Sequence, residues 1–177
     1  MKNLVRKYGT IFAIAAVIVV LDQWTKWLVR TNIASGAAWL PDSLQWLMPY
    51  ARIVHWYNTG AAFGMFKDAS TILTVLAFVV IGAILFYYPQ VEKDDWLLRL
   101  ALSLQLGGAL GNLVDRLTIG HVTDFISVGS FPVFNVADAS ITIGAVLLFL
   151  SVWLRERAEK QAEKNKSVDI PGETTGE

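Results

Sequence analysis

The sequence predicts a membrane protein of the all-α class: four transmembrane helices, both termini cytoplasmic, and a small β-sheet on the outer face. Three observations carry this. Four stretches are apolar and free of charge. Only 17% of the 177 residues are charged, whereas soluble domains average about 25%. Lys and Arg are spread unevenly over the segments between the apolar stretches.

The stretches are Tyr8 to Leu21, Thr71 to Val91, Leu100 to Val114 and Ala139 to Leu154. A bilayer-crossing helix takes about 20 residues, and only the second stretch reaches that unaided. The first gains length through Asp22 to about Val29, the third from Trp96 and the fourth from Val136. Their charges then fall near helix ends, where they cost less. Four buried helices of a soluble bundle would each show a polar face, and Thr71 to Tyr88 has none. With four spans, ten Lys and Arg lie on the side of the termini and five on the other. The positive-inside rule therefore places both termini in the cytoplasm. The expected organisation is one domain over 1–155 with outer loops 31–70 and 117–135. A charged cytoplasmic tail, 156–177, starts as helix and ends disordered. The absence of Cys excludes disulfides, thiolate metal sites and a Cys nucleophile. With 15 positive and 15 negative side chains, no P-loop and no basic stripe, nucleic acid is not an expected partner.

The chain from Met1 to Leu21 has the basic start and apolar run of a secretory signal. Asp22-Gln23-Trp24-Thr25-Lys26-Trp27 follows in place of a small-residue cleavage site, so a retained helix is expected. Asp22 and Lys26 stand i, i+4 with the acid first, an arrangement for a helical ion pair. They read as a structural brace. In the first outer loop, Trp39, Trp46 and Trp56 suit the interfacial belt. Arg52 to Tyr57 has strand propensity, Asn58-Thr59-Gly60 turns the chain, and Ala61 to Phe66 follows as part of a small sheet. His55 has no second ligand near it, which argues against a metal role. Pro89 and Glu92-Lys93-Asp94-Asp95 make a tight cytoplasmic turn.

The third span carries Gly107 and Gly111, a G-x-x-x-G pair that admits a second backbone. That backbone is either a packed helix or an extended peptide. Gly108, Asn112 and Arg116 are four apart and form one row, able to line a polar cleft, with Asp115 beside it. Beyond this span, Phe125 to Val128 and Phe131 to Phe134 read as a hairpin around Gly129-Ser130, with Pro132 restricting its strand to an edge. That register sets Phe125 opposite Phe134 and Asp124 opposite Asn135. Asn135 then caps the fourth helix, with Asp138 at its third position.

Asp124 and Asp138 are thus expected to meet near the outer membrane face. Two carboxylates held together in low dielectric share a proton. One can then activate water while the other protonates a carbonyl oxygen or leaving amine. The helix N-terminus favours the anion at Asp138, which makes Asp138 the resting base and Asp124 the acid. Asn112 and Arg116 can steady a substrate carbonyl or carboxylate. The H-E-x-x-H and G-x-S-x-G patterns are absent. A proton-coupled carrier would need polar groups along a route between both faces, and a scaffold would need no acid pair.

Five blocks in order resemble the lipoprotein signal peptidases, or signal peptidases II, of bacteria. They are Asp22-Gln23-Trp24-Thr25-Lys26, Asn58 to Phe63, Gly107 to Arg116, Val122 to Ile126 and Phe134 to Asp138. The resemblance covers roughly the first 155 residues. It implies an aspartyl endopeptidase of the bacterial inner membrane, multi-pass, with its active site at the periplasmic face. The substrate would be a diacylglyceryl-modified prolipoprotein, cut just before the lipidated Cys. The implied catalytic pair is Asp124 and Asp138. The implied supporting or substrate-holding residues are Asn58, Gly108, Asn112, Arg116 and Asn135. Asp22, Lys26 and Asp115 are structural polar residues in this reading. The segment around Asn58 would form a cradle-like periplasmic sheet. No metal or organic cofactor is expected. Membrane lipids and a globomycin-type cyclic peptide inhibitor are expected partners.

Overall fold

The computed structural model describes residues 2–60 and 70–168. Four long helices dominate: α1 (Lys2–Asn32), α2 (Ser70–Tyr87), α3 (Trp96–Ile119) and α4 (Val136–Val168). Each contains a segment long and apolar enough to cross a membrane. At 1.5 Å per residue, the 18 residues of α2 span about 27 Å, close to the ~30 Å hydrocarbon core. The described part of the fold is therefore four membrane-spanning helices with a small sheet, as the sequence predicts.

Burial is unequal. α3 packs against the other three helices and buries residues from Leu98 to Asp115 on several faces. α2 buries only Ile84. Apart from the side that packs on α3 through Ile81, Ile84 and Leu85, its apolar surface faces outward, as in a lipid-exposed helix. Close approach to α3 depends on glycine. A Cβ on Gly107 would lie 2.7 Å from Cβ of Ile18, and one on Gly111 would lie 2.7 Å from Oδ2 of Asp22. The G-x-x-x-G pair is thus occupied by α1, and no room for an extended peptide remains beside it.

The two halves of the bundle differ in chemistry. At the end where α1 begins, Ile11, Ala15, Tyr88, Leu98, Leu102 and Leu106 form an apolar core. The turn between α2 and α3 contains a short 3-10 segment, Tyr88–Gln90. Asp95 caps α3 by accepting from the Leu98 amide at 3.1 Å and pairs with Arg155 of α4 at 2.7 Å. At the opposite end the interior is polar: Asp22, Lys26, Asn112, Asp115, Thr123, Asp124 and Asn135 are all buried.

The sheet sits at that polar end and has the order β1 (Ala38–Trp39), β2 (Ala51–Asn58), β3 (Val122–Val128), all antiparallel. Trp39, Trp46 and Trp56 are exposed around it, consistent with the interfacial belt. Two expectations need correction. β3 pairs along its length with β2, with Ile53 opposite Ile126 and Trp56 opposite Asp124. Its contact with the following segment is a single bridge, Ile126 to Phe134. The expected hairpin is therefore not a two-stranded ladder, and its register is one residue off. The turn itself is present: Gly129 has φ +52° and the Phe131 amide donates to the Val128 carbonyl at 3.0 Å. Pro132 lacks an N–H, so that segment cannot outcompete β2 for β3. Between Ile53 and Trp56 the pairing with β3 shifts register, an irregularity of the kind that re-aims side chains. The expected strand Ala61 to Phe66 and the tail after Val168 lie outside the described residues. α4 continues as helix past Leu154 to Val168.

Candidate active site

Three backbone devices assemble the site. α3 ends at Gly120, whose φ of +78° is the left-handed C-cap conformation. The chain then reverses, and the Thr123 amide donates to Oδ2 of Asp115 at 3.0 Å. This fixes the start of β3 against the end of α3. The third device is the N-terminus of α4. Oδ1 of Asn135 accepts the Asp138 amide at 2.9 Å, while Oδ2 of Asp138 accepts the Asn135 amide at 3.3 Å. This is a reciprocal capping box. Asp22, reaching from α1, accepts the Ala137 amide at 2.9 Å. The Ala137 and Asp138 amides of the first turn of α4 are thus satisfied inside the protein.

Asn135 joins the two acids. Its Nδ2 donates to Oδ1 of Asp124 at 2.7 Å, while its backbone and side-chain oxygen hold Asp138. Each carboxylate has one further amide donor. Asn58 Nδ2 reaches Oδ2 of Asp124 at 2.8 Å, and Asn112 Nδ2 reaches Oδ1 of Asp138 at 2.7 Å. Asn58 also makes a turn, its Oδ1 accepting the Gly60 amide at 3.0 Å. It is both a turn residue and a partner of Asp124.

The two acids differ in environment. Asp124 is 1% exposed. Burial, and then the nearby Asp138 carboxylate, push its carboxyl up to about 7, against the opposing pull of the Asn58 and Asn135 donors. Asp138 is half-buried and lines a cavity of about 590 Å³. The cavity's apolar wall includes Leu73, Phe131, Pro132, Phe134, Ile141 and Ile143. Arg116 and Asn58 contribute its polar groups beside Asp138. Among the described residues, no ion pair or hydrogen bond engages the Arg116 guanidinium.

Gly108 lines no open cleft. A Cβ there would meet Ala137 O, and would lie 2.6 Å from both Ile141 Cγ1 and Ser140 Oγ. Its role is to let the first turn of α4, which carries Asp138, lie against α3. Asp22 and Lys26 form a buried ion pair at 2.8 Å. Asp115 joins it through Lys26 at 3.3 Å and through Arg30 at 3.3 Å. Arg30 and Gln23 were not singled out in the sequence. Arg30 also donates to Thr123 Oγ1 at 3.1 Å, and Gln23 to Asp115 Oδ1 at 3.1 Å. The spacing of Asp22, Lys26 and Arg30, four apart on one face, is the signal that would have found Arg30. Among the described residues, no three His, Asp or Glu side chains are grouped so as to hold a metal ion.

Comparison with known proteins bears on this arrangement. The family model described as signal peptidase (SPase) II matches residues 14–154. The chain belongs to the signal peptidase II family. The family is one of aspartic proteases, and the chain is a membrane-spanning enzyme of that class. The lipoprotein signal peptidase of Shouchella clausii is 39% identical over 154 residues, covering 86% of this chain and 99% of that one. That of Symbiobacterium thermophilum is 41% identical over 148 residues, covering 81% and 94%. A bacterial membrane enzyme solved by the in meso method at 2.3 Å resolution superposes with a TM-score of 0.76 at 30% identity, covering 86% of this chain and 92% of that one. A second, solved at 1.9 Å, gives 0.71 at 30% identity, covering 81% and 92%. The signal peptidase II match spans the segments that supply Asp22, Lys26, Asn58, Asn112, Asp124, Asn135 and Asp138.

Proposed function

We propose that this enzyme removes the signal peptide from diacylglyceryl-modified prolipoproteins, just before the lipidated Cys, using water activated between Asp124 and Asp138. The observation that carries the proposal is the pair of carboxylates bridged by Asn135, one of which lines an apolar-walled cavity. The site lies at the periplasmic face of the inner membrane. There the acyl chains of the lipidated Cys stay in the bilayer while the peptide reaches the acids. The exposed Trp belt and the excess of Lys and Arg on the side of the termini support that orientation.

Charge supports a single shared proton. Asp22 and Asp115 are balanced by Lys26 and Arg30 in the ion-pair network. Around the cavity, Arg116 balances one carboxylate, so one proton on the acid pair leaves the site neutral. The proton belongs on Asp124, the more buried acid, and Asp138 is the base. Water adds to the scissile carbonyl, its proton passing to Asp138 and the Asp124 proton to the carbonyl oxygen. The resulting diol collapses. Asp138 gives its proton to the leaving nitrogen, one hydroxyl returns a proton to Asp124, and the C–N bond breaks. Both acids end as they began. Arg116, in the cavity beside Asp138, is placed to hold a substrate carbonyl. A globomycin-type cyclic peptide would compete for the same cavity.

The direct test is cleavage of a synthetic lipopeptide carrying a diacylglyceryl Cys. The expected products are the free signal peptide and a fragment beginning with the lipidated Cys. Cleavage elsewhere, or equal cleavage without the lipid, would overturn the substrate assignment.

A pH dependence follows. The acid must be protonated, so activity should fall as pH rises through about 7, where Asp124 gives up its proton. Asn58→Ala removes a donor that favours the Asp124 anion. The alkaline limb of kcat/KM should therefore move to higher pH, by up to about one pH unit. An alkaline limb that moves down in Asn58→Ala would show that Asp124 is not the acid.

A further inference from the structure

The α1 ion pair touches the site through one side chain. Lys26 is fully buried and spends its three donors on Asp22 at 2.8 Å, Asp115 at 3.3 Å and Asn112 Oδ1 at 3.0 Å. The same Asn112 oxygen accepts from Asn135 Nδ2 at 3.2 Å. Two donors on Oδ1 leave the Asn112 amide one orientation, with Nδ2 toward Oδ1 of Asp138 at 2.7 Å. We propose that Lys26 is a positioning residue of the peptidase site: its ammonium, acting through the Asn112 amide, holds the Asp138 carboxylate in place as the base.

Two effects act together. The first is orientation. An amide turned over would present its oxygen to the Asp138 carboxylate, replacing a hydrogen bond with a repulsion. The second is polarisation. A cation on an amide oxygen strengthens the amide's N–H as a donor, and hydrogen bonds in such chains reinforce one another at low dielectric. Both effects keep the Asn112 N–H aimed at the Asp138 carboxylate. Lys26 therefore does more than brace helices, although it never contacts the cavity.

The other charges around this relay are accounted for. Asp22, Lys26 and Arg30 face it from α1, Asp115 and Arg116 from α3, Asp124 from β3 and Asp138 from α4. From β2 the neutral Asn58 reaches Asp124. Among the described residues, Lys26 is the one cation bonded to Asn112. Arg30 is committed to Asp115 and Thr123.

The inference rests on the dyad reading above, and the test separates the two. Full-length wild-type enzyme, Lys26→Met and the double variant Asp22→Asn/Lys26→Met are assayed on the diacylglyceryl lipopeptide across pH. The double variant keeps the local charge balanced, with Asp115 still facing Arg30. It also retains an oxygen to accept the Ala137 amide, so it guards against a misfolded single variant. Without the cation the Asn112 amide loses one of the two donors that fix its orientation, so the Asp138 carboxylate is no longer held in line and kcat should fall by about 10-fold or more at every pH. KM should change little, because no group lining the cavity is altered. A merely structural Lys26 would lower thermal stability and leave kcat unchanged at temperatures where the variants stay folded. An unchanged kcat in the folded double variant, with Asp138→Asn inactive in the same assay, overturns this inference alone. A fully active Asp138→Asn overturns the dyad reading beneath it.

Discussion

Asp124→Asn and Asp138→Asn are each expected to reduce lipopeptide cleavage by about 10³-fold or more, with the protein still folded and membrane-inserted. General acid–base catalysis by a positioned side chain contributes roughly 10² to 10⁴, and an amide at either position can neither take the water's proton nor deliver one. Folding should survive, because Asn keeps an oxygen for the existing donors. At position 138 one of the two donors, Asn112 Nδ2 or the Asn135 amide, would meet an NH₂. At position 124 the same holds for Asn58 or Asn135. Both variants should therefore also lose some stability. Cleavage product is measured by mass against time, and folding by a thermal unfolding scan in detergent. Wild-type rates in a folded Asp124→Asn protein would remove the acid from the mechanism.

The second large effect is expected at Gly108. An added methyl would run into Ala137 O, and would stand 2.6 Å from Ile141 Cγ1 and Ser140 Oγ. These atoms all belong to the first two turns of α4, and one is backbone, so the helix itself must move. Overpacking of this kind costs about 1–3 kcal/mol. The displaced turn carries Asp138 and its cap. A misplacement of about 1 Å at a reacting group can cost about 10²-fold in rate. Gly108→Ala should therefore lose both stability and most of its activity. Gly82 is the control: it lies in α2 with nothing within 4 Å of an added Cβ. Gly82→Ala should leave activity unchanged. Equal behaviour of the two variants would show that α4 does not need its close seat on α3.

The four helices are legible in the sequence for a simple reason. Hydropathy along 18 or more residues is a local property, and lipid exposure leaves it legible. The α2 segment, apolar on every face, is the extreme case. The capping of α4 was legible for the same reason, since Asn135 and Asp138 are three apart and act on amides of their own turn. Strand partners were another matter. Phe125 to Val128 reads from sequence as one arm of a hairpin with the nearest following segment, yet β3 pairs with β2, whose partner residues lie more than sixty positions earlier. Alternation along a strand says which residues share a face but not which strand lies beside it.

Composition, spacing and charge thus determined by themselves the membrane class, the number of spans, the start of α4 and the ion pair within α1. Only the tertiary structure decided which backbone fills the Gly107 and Gly111 notch, that Gly108 seats α4, and that Asp22 caps a helix 115 residues away. It alone placed Lys26 against Asn112 and Asn58 against Asp124. The physical reason is range. Hydropathy and capping act over one or two helical turns, whereas a buried amide or charge takes whichever partner the packed helices bring within 3 Å of it. That choice is made only when the whole bundle closes.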